Sequence, residues 1–420
     1  MNKVNKSLLV IGFVWPEPTS SAAGKRMMQL LTFFKSQGWS ITFASTAKQN
    51  KNTAGLSELT VACESIEVND ESFDRFVKKL NPEIVLFDRF MTEEQFGWRV
   101  HVQCPSAVRV LDTEDLHLLR YAREMSFKNN DDRIQTYLRS DVAKREIASI
   151  YRSDLSLIIS ETEIHLLHEF FKVPKELLLY LPFLFDAITD GESGAWPGFS
   201  ERDGFMTIGN FRHKPNFDAV SYHRSDIWPL IRQSLPNATM HVFGSYPSQQ
   251  VNEWHSPDTG FIIHGRAERV DTVMQEARVC LAPLRFGAGL KGKLIDAMLS
   301  GTPSITTSMG AEGINGSMDW PGVICDDPET FAQAAIKIYT DEARWTHAQK
   351  QGIRIINERF LKEVYQNQLS ERLKILLSEL EFHRTNNFTG SMLMHHTMAS
   401  TRFMSRWIEE KNKPADDKNV

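Results

Sequence analysis

Two lysines stand two residues apart inside a glycine-rich loop, Gly287-Ala288-Gly289-Leu290-Lys291-Gly292-Lys293. The loop leaves an apolar strand that ends in Pro283-Leu284 and enters an apolar helix predicted over Lys293–Ser300. Glycines let backbone N–H groups approach an anion closely, and a helix N-terminus adds a favourable dipole. Lysines at the same place supply point charges for phosphate. Asp296, one turn into the helix, is placed to accept hydrogen bonds from ribose hydroxyls. Taken alone, the loop would equally describe a flexible segment with two solvated lysines.

Two segments of the first half also gather reactive side chains. Pro16–Arg26 (PEPTSSAAGKR) is a loop of small residues between a strand and a helix. A P-loop requires GxxxxGK[ST]; here Thr19 stands five before Gly24 and Arg26 follows Lys25, which excludes that reading. Asp112–Arg123 (DTEDLHLLRYAR) follows another strand end and holds Asp112, Glu114, Asp115, His117, Arg120 and Arg123. An aspartate and a histidine two apart suit metal ligation, but no third ligand accompanies them. Asp88-Arg89 reads as a surface ion pair. His395-His396 with Arg402 and Arg406 reads as a solvated or domain-docking face of a terminal helix.

The elements that must position these groups alternate along the chain. Strands are predicted at Ser7–Phe13, Ser40–Thr46, Ile84–Phe90, Ala107–Asp112, Leu155–Ser160 and Leu177–Pro182. A second series follows at Phe205–Asn210, Thr239–Gly244, Phe261–Gly265, Val279–Leu284, Pro303–Ser308 and Gly322–Asp326. Several are apolar on both faces, as in a parallel sheet covered by helices on each side. Met27, Leu30, Leu31 and Phe34 recur at helical spacing, and Gly38 stands where a helix C-terminal cap is wanted. The rhythm breaks between Asp186 and Gly204, where Gly, Ser, Pro and acidic residues gather. This gives an α/β chain with a first domain over 1–186, a linker over 187–203, a second domain over 204–382 and a helical tail over 383–420. A tail helix over Gly390–Lys411, with Met394, Met398, Met404, Trp407 and Ile408 as its apolar residues, has to bury that face, and crossing back to the first domain would do so. The final eight residues are expected to fray.

Length and composition bound the rest. At 420 residues the chain exceeds what one core usually supports, so about two domains are expected. The 48 Lys+Arg and 53 Asp+Glu leave a net charge of -5, which offers no global attraction for nucleic acid. No apolar run reaches the ~18 residues of a membrane span. Met1–Val14 carries two lysines and a short apolar stretch but no small-residue cleavage site, so a first strand is expected there rather than a secretion signal. The four cysteines, Cys63, Cys104, Cys280 and Cys325, are scattered without a CxxC pair, which excludes a disulfide scaffold and a cysteine zinc site and suits a reducing cytoplasm.

The segment Pro283–Gly313 resembles the donor-binding region of GT-B glycosyltransferases, especially family 4. The matching wording is GAGLKGK over 287–293, Asp296-Ala297-Met298, Gly301-Thr302-Pro303 and Gly310-Ala311-Glu312-Gly313. Ile208–Asn216 (IGNFRHKPN) is similar to the family's first strand and loop of the second domain, and Phe261–Arg266 (FIIHGR) to the strand and loop that meet the nucleobase. The resemblance covers most of 204–340. It implies two Rossmann-like domains facing across a cleft, a nucleotide-diphospho-sugar bound by the second domain, and an acceptor (glycan, lipid or small molecule) bound by the first. On the donor side it implies roles for Asn210, Arg212 and Lys214, for His264 and Arg266, for Gly289, Leu290, Lys291 and Lys293, and for Asp296 and Glu312; Gly24 faces the donor phosphates from the first domain. The segment holding Asp112, Asp115 and His117 loosely resembles the one where the family places an active-site histidine, so these three and Lys291 are the catalytic candidates. Many family members carry two glutamates eight residues apart; Asp296 fits the later place, but Ala288 stands at the earlier one, so that carboxylate role is not carried over. The family implies retention of configuration, and the cations imply independence of a metal ion, with no other cofactor. A nucleotide-sugar epimerase of the same architecture and a catalytically silent sugar-nucleotide-binding scaffold are the alternatives. A peripheral membrane association through a lipid acceptor, at the inner face, is compatible with these features.

Overall fold

The computed structural model describes residues 6–50 and 52–412. Short runs of apolar residues build its two sheets. The first comprises β1 (Ser7–Gly12), β2 (Ser40–Ser45), β3 (Ala62–Ser65), β4 (Ile84–Asp88), β5 (Val108–Asp112), β6 (Leu155–Ile158) and β7 (Leu178–Tyr180), in the order β3-β2-β1-β4-β5-β6-β7. The second comprises β8 (Asp203–Ile208), β9 (Met240–Phe243), β10 (Phe261–Gly265), β11 (Ala277–Ala282), β12 (Ser304–Thr306) and β13 (Gly322–Ile324), in the order β10-β9-β8-β11-β12-β13. Every strand pairing is parallel. Both sheets therefore wind outward from a central first strand, and each has a switch point, between β1 and β4 and between β8 and β11, where loops diverge and ligands bind.

Central strands are buried at every position because helices cover both faces. Leu8 and Val10 enter one core cluster, and Leu9 and Ile11 the cluster on the opposite face, as the two-residue strand period requires. Each predicted strand appears, with ends moved by a few residues. β3 was not foreseen, since its four residues, Ala-Cys-Glu-Ser, are all exposed at the sheet edge and carry no apolar pattern. The helix Ala22–Ser36 starts where Ser21 Oγ accepts from the Gly24 N–H at 3.0 Å. It ends before Gly38, whose φ of +79° places it in the left-handed region that a C-terminal cap favours.

The linker is folded against the second domain. Ile188 exchanges hydrogen bonds with the Asn357 side chain at 2.7 and 2.9 Å, and the buried Arg202 bonds Pro197 O, Thr302 Oγ1 and Ser300 O. The boundary drawn at 382 falls inside the helix Lys362–Asn386. The chain returns to the first domain at Phe360–Leu361, where Phe185 N bonds Phe360 O at 2.9 Å and Lys362 N bonds Phe185 O at 2.8 Å. Leu369, Leu373 and Leu376 then join the first domain's core beside Met27 and Leu30; truncating one such leucine to alanine costs roughly 2–5 kcal/mol. The last helix, Phe388–Asn412, packs on the first domain as expected but not through the expected apolar face. Met394 is buried against Trp98, whereas Met404 and Trp407 are exposed. Charges hold the helix instead: buried Arg99 meets Ser405, Glu409 and Asp74, and Arg406 meets Asp74 at 2.7 Å. The side chains of His396 and Met398, and the final eight residues, lie outside those described. Among the described residues no helix is long and apolar enough to cross a membrane.

Candidate active site

The loops at the two switch points meet around a cavity of about 550 Å³ between the domains. From the second domain, the helix Gly292–Leu299 points its N-terminus at this cavity, with Lys291 as an N-cap that offers no side-chain hydrogen bond to the first-turn amides. Across the cleft stands the N-terminus of Ala22–Ser36. The two approach so closely that a Cβ on Gly292 would lie 2.7 Å from Ala22 Cβ. Two helix N-termini whose dipoles aim at one space are an arrangement that attracts an anion.

Lys291 and Lys293 line that space, Lys291 buried and Lys293 half-buried. Lys291 Nζ donates to Gly289 O at 2.8 Å and Lys293 Nζ to Asn216 Oδ1 at 2.9 Å. These partners are neutral oxygens, and neither lysine has a carboxylate within ion-pair distance among the described residues. Burial pushes each ammonium down to about 8. Asp296 also lines the cavity and pairs with Lys25, which the sequence reading passed over. Arg212 lies 3.7 Å above the Tyr246 ring, and Asn210 Oδ1 accepts from the Arg212 N–H at 2.9 Å; both line the cavity. Gly24 lines it too, but its lack of a side chain serves packing: a Cβ would lie 2.5 Å from the Glu17 carbonyl.

Four donor candidates lie outside the cavity lining. Lys214 Nζ is held by Glu124 of the first domain at 2.8 Å. His264 stacks on Phe243, with centroids 4.6 Å apart, and its Nε2 is 2.9 Å from His241 Nδ1. Arg266 donates to Thr19 Oγ1 at 2.6 Å, bridging to the loop Pro16–Arg26. Glu312 is paired with Arg123 at 2.6 Å. Leu290 and Gly289 do reach the lining.

The catalytic candidates divide in the same way. Asp112 does not reach the cleft: it is fully buried and receives Arg26 Nε at 3.0 Å and Nη2 at 2.9 Å, while Arg26 Nη1 donates to Leu181 O at 2.6 Å. That pair pins the first helix to the end of β5. Asp115 and His117 do line the cavity, with His117 Nε2 3.7 Å from Asp115 Oδ1. Burial alone would raise the Asp115 carboxyl, but Arg120, His117 and His213 together hold it well below the usual carboxylate range. Burial pushes His117 down to about 3, so its imidazole is neutral at ordinary pH. The start of the helix His117–Asn129 has no capping side chain of its own; buried Glu146 accepts from the His117 N–H at 3.1 Å and the Leu118 N–H at 2.7 Å instead.

Two residues show their importance only in three dimensions. Arg89 and Glu114, at the ends of β4 and β5, have φ of +68° and +62°, values that residues other than glycine adopt at a cost of roughly 1–3 kcal/mol. Both line the cavity. Asp88-Arg89 is therefore not a surface pair: Asp88 is buried and accepts from the Phe13 N–H at 3.0 Å. Glu114 is buried beside Asp112, and burial, then that neighbour, holds its carboxyl well above the ordinary range. No group of three or more metal-ligating side chains occurs among the described residues, and all four cysteines are free.

Two parallel sheets of one winding, open toward each other, with C-terminal helices crossing back to the first, make up the GT-B architecture. Residues 202–341 match the family model described as glycosyl transferases group 1. No curated protein sequence matches the chain. Among solved structures, sucrose-phosphate synthase from Thermosynechococcus elongatus superposes with a TM-score of 0.66 at 16% identity, over 89% of this chain and 99% of that one. HepE of Anabaena, solved with UDP-glucose, gives 0.64 at 13% identity, over 88% and 99%. The pneumococcal O-GlcNAc transferase GtfA, solved with UDP and GlcNAc, gives 0.54 at 16%, over 73% and 60%. The likeness in fold thus spans both domains, and the resemblance to group 1 glycosyltransferases read from the donor loop holds across the second domain.

Proposed function

We propose that this chain is a glycosyltransferase that binds a nucleotide-diphospho-sugar on its second domain and a glycan or lipid acceptor on its first. The observation that carries the reading is a pair of lysines, Lys291 buried and Lys293 half-buried, without ion-pair partners among the described residues at the N-terminus of Gly292–Leu299. A buried charge without a counterion is costly, and a diphosphate supplies the missing negative charge. Lys291 and Lys293, with Arg212 at the rim, neutralise the diphosphate as it gains charge in leaving, which is where fixed positive charge accelerates transfer most. Asp296 holds the ribose. Lys214 is left out of the donor set because its ammonium is committed to Glu124. The solved relatives carrying UDP or UDP-glucose support the donor class.

We read the reaction as retaining and metal-independent, the lysines standing where a divalent ion otherwise would. The acceptor oxygen bonds to the anomeric carbon, the bond from that carbon to the diphosphate oxygen breaks, and the acceptor proton passes to the departing phosphate. Should the product be inverted, a base is required. Asp112 is locked by Arg26, Asp115 is paired with Arg120, and neutral His117 is a weak base. Glu114 then becomes the first-domain carboxyl suited to the proton. We place the reaction in the cytoplasm, in keeping with four free cysteines.

Thermal unfolding against UDP, GDP, ADP, dTDP and CDP, with and without EDTA, tests the reading. A ligand at 100 times its dissociation constant stabilises by about 2.7 kcal/mol, a shift of several degrees. One nucleotide shifting the midpoint regardless of EDTA is the expected result. No shift with any of them would remove the donor site.

A further inference from the structure

We infer that Glu163 is a positioning residue for the donor loop, the buried first-domain carboxylate that sets where Gly289 and, through it, Lys291 stand; the inference rests on the transferase reading above. Glu163 lies in the helix Glu161–His165 that follows β6, and it is 1% exposed. Its Oε1 accepts two backbone hydrogen bonds, from the Leu116 N–H of its own domain at 2.9 Å and from the Gly289 N–H of the other at 2.9 Å. Its Oε2 is buried with no hydrogen-bond partner among the described residues. Carboxylates are expensive to bury and stay only where charge-assisted bonds hold them. Here those bonds join the loop after β5, at Leu116, to the glycine loop.

Gly289 is one place where the second domain's backbone comes against the first. Its φ is +62°, and a Cβ there would lie 2.7 Å from Asp115 Cβ and 3.4 Å from Ile159 Cγ2. The residue's N–H goes to Glu163 and its C=O receives Lys291 Nζ at 2.8 Å. One residue therefore links the buried carboxylate to the ammonium proposed to meet the diphosphate. The expectation that this glycine's N–H serves phosphate is accordingly replaced: that N–H is already engaged by Glu163. A second fastening lies alongside. Arg123 Nη1 donates to Gly287 O at 2.9 Å, and the same guanidinium pairs with Glu312. Glu163 does not line the cavity, so it acts through Lys291 rather than on substrate.

Burial pushes the Glu163 carboxyl up to about 7, with Asp115 adding to the rise and the two N–H groups and Lys291 opposing it. The bonding geometry, not the charge alone, is what the variants separate. Glu163→Gln keeps an oxygen that accepts from both amides, and Glu163→Ala removes it. Nucleoside diphosphate affinity and the donor and acceptor KM are measured for wild type and both variants, with thermal unfolding as the folding control. Glu163→Ala is expected to raise the donor KM and weaken nucleotide binding about tenfold to a hundredfold, the scale of a one-ångström misplacement, with acceptor KM unchanged. Glu163→Gln is expected to stay within about threefold of wild type. Wild-type donor KM and affinity in Glu163→Ala would overturn the inference, as would equal damage in both variants. If Glu163→Ala does not fold, Gly289→Ala breaks the same contact from the other domain and is expected to show the same donor-side loss; a wild-type donor KM there would overturn it. Failure of wild type to bind any nucleoside diphosphate would instead strike the transferase reading itself.

Discussion

The two halves share one winding order and open their switch points on one cleft, yet they treat charge in opposite ways. In the first, three acids at or just past the strand ends are met by arginines from within the domain, Asp112 by Arg26, Asp115 by Arg120 and Asp88 by Arg89; Glu114 beside them is not, among the described residues. In the second, the two cations at the corresponding loop have no such counterpart among the described residues. Paired charges fix the position of the loops that carry them. Unpaired buried charges instead leave a site that a ligand can complete, and a protein tolerates their cost where function requires it. A common scaffold thus yields one wall whose loops are held by ion pairs and one whose cations await an anion.

The sharpest break of this contrast is Asp112→Asn. It leaves a buried guanidinium without its ion-pair carboxylate, an imbalance costing roughly 3–5 kcal/mol. The first-domain unfolding midpoint should fall by on the order of ten degrees, while nucleotide affinity at the second domain stays within twofold. A normal midpoint with lost turnover would make Asp112 a reacting group after all. Lys291→Ala should do the reverse. Turnover should fall about 10²–10³-fold, or ~2.7–4 kcal/mol of transition-state stabilisation, with no loss of thermal stability because a desolvated charge is removed. Steady-state kinetics beside a melting curve separates the two outcomes.

A pH series sharpens the same point. Burial holds Lys291 and Lys293 near 8 in the fold, against an ordinary 10.5. The ammonium form that meets phosphate is therefore lost as pH rises through about 8, and kcat/KM for donor should decline there. Over the window from about 8 to 10.5 the unfolded chain binds more protons at these lysines, so their contribution to stability rises with pH. Activity falling while these groups favour the fold is the expected signature, and Lys291→Arg should move the declining limb upward.

What the sequence disclosed follows from how local each feature is. β1, β4 and β5 were legible because burial on both faces writes a continuous apolar run. The donor loop was legible because its glycines, lysines and Asp296 lie within ten residues. The exposed edge strand Ala62–Ser65 writes no such run. The partners that decide each role are far away in the chain: Arg26 and Asp112 are 86 residues apart, and Glu163 and Gly289 are 126 apart. A single sequence carries no signal for such pairings, so Asp112 read as catalytic, and Glu163 read as nothing. Arg89 and Glu114 stayed hidden for another reason, since a positive φ at a residue other than glycine arises from tertiary packing that no local propensity announces.

The smallest effect makes the most exacting test, because it compares the same residue type on the same domain. Lys214 and Lys291 both stand near the cleft and both read as donor cations. Lys214, however, has a side chain 68% exposed, and its Nζ meets Glu124, which also holds Lys128. Exposed pairs of this kind contribute about 0–1 kcal/mol, so Lys214→Ala should change the donor KM by less than about fivefold and leave the melting curve nearly in place. Lys291, buried and without a counterion, should cost two orders of magnitude more. If the two variants proved equally damaging, long-range charge at the cleft mouth, rather than desolvation of an unpaired ammonium, would be what draws the diphosphate. The contrast between a paired and an unpaired half would then lose its chemical meaning, since a solvated lysine already matched by a carboxylate would serve as well as a buried one.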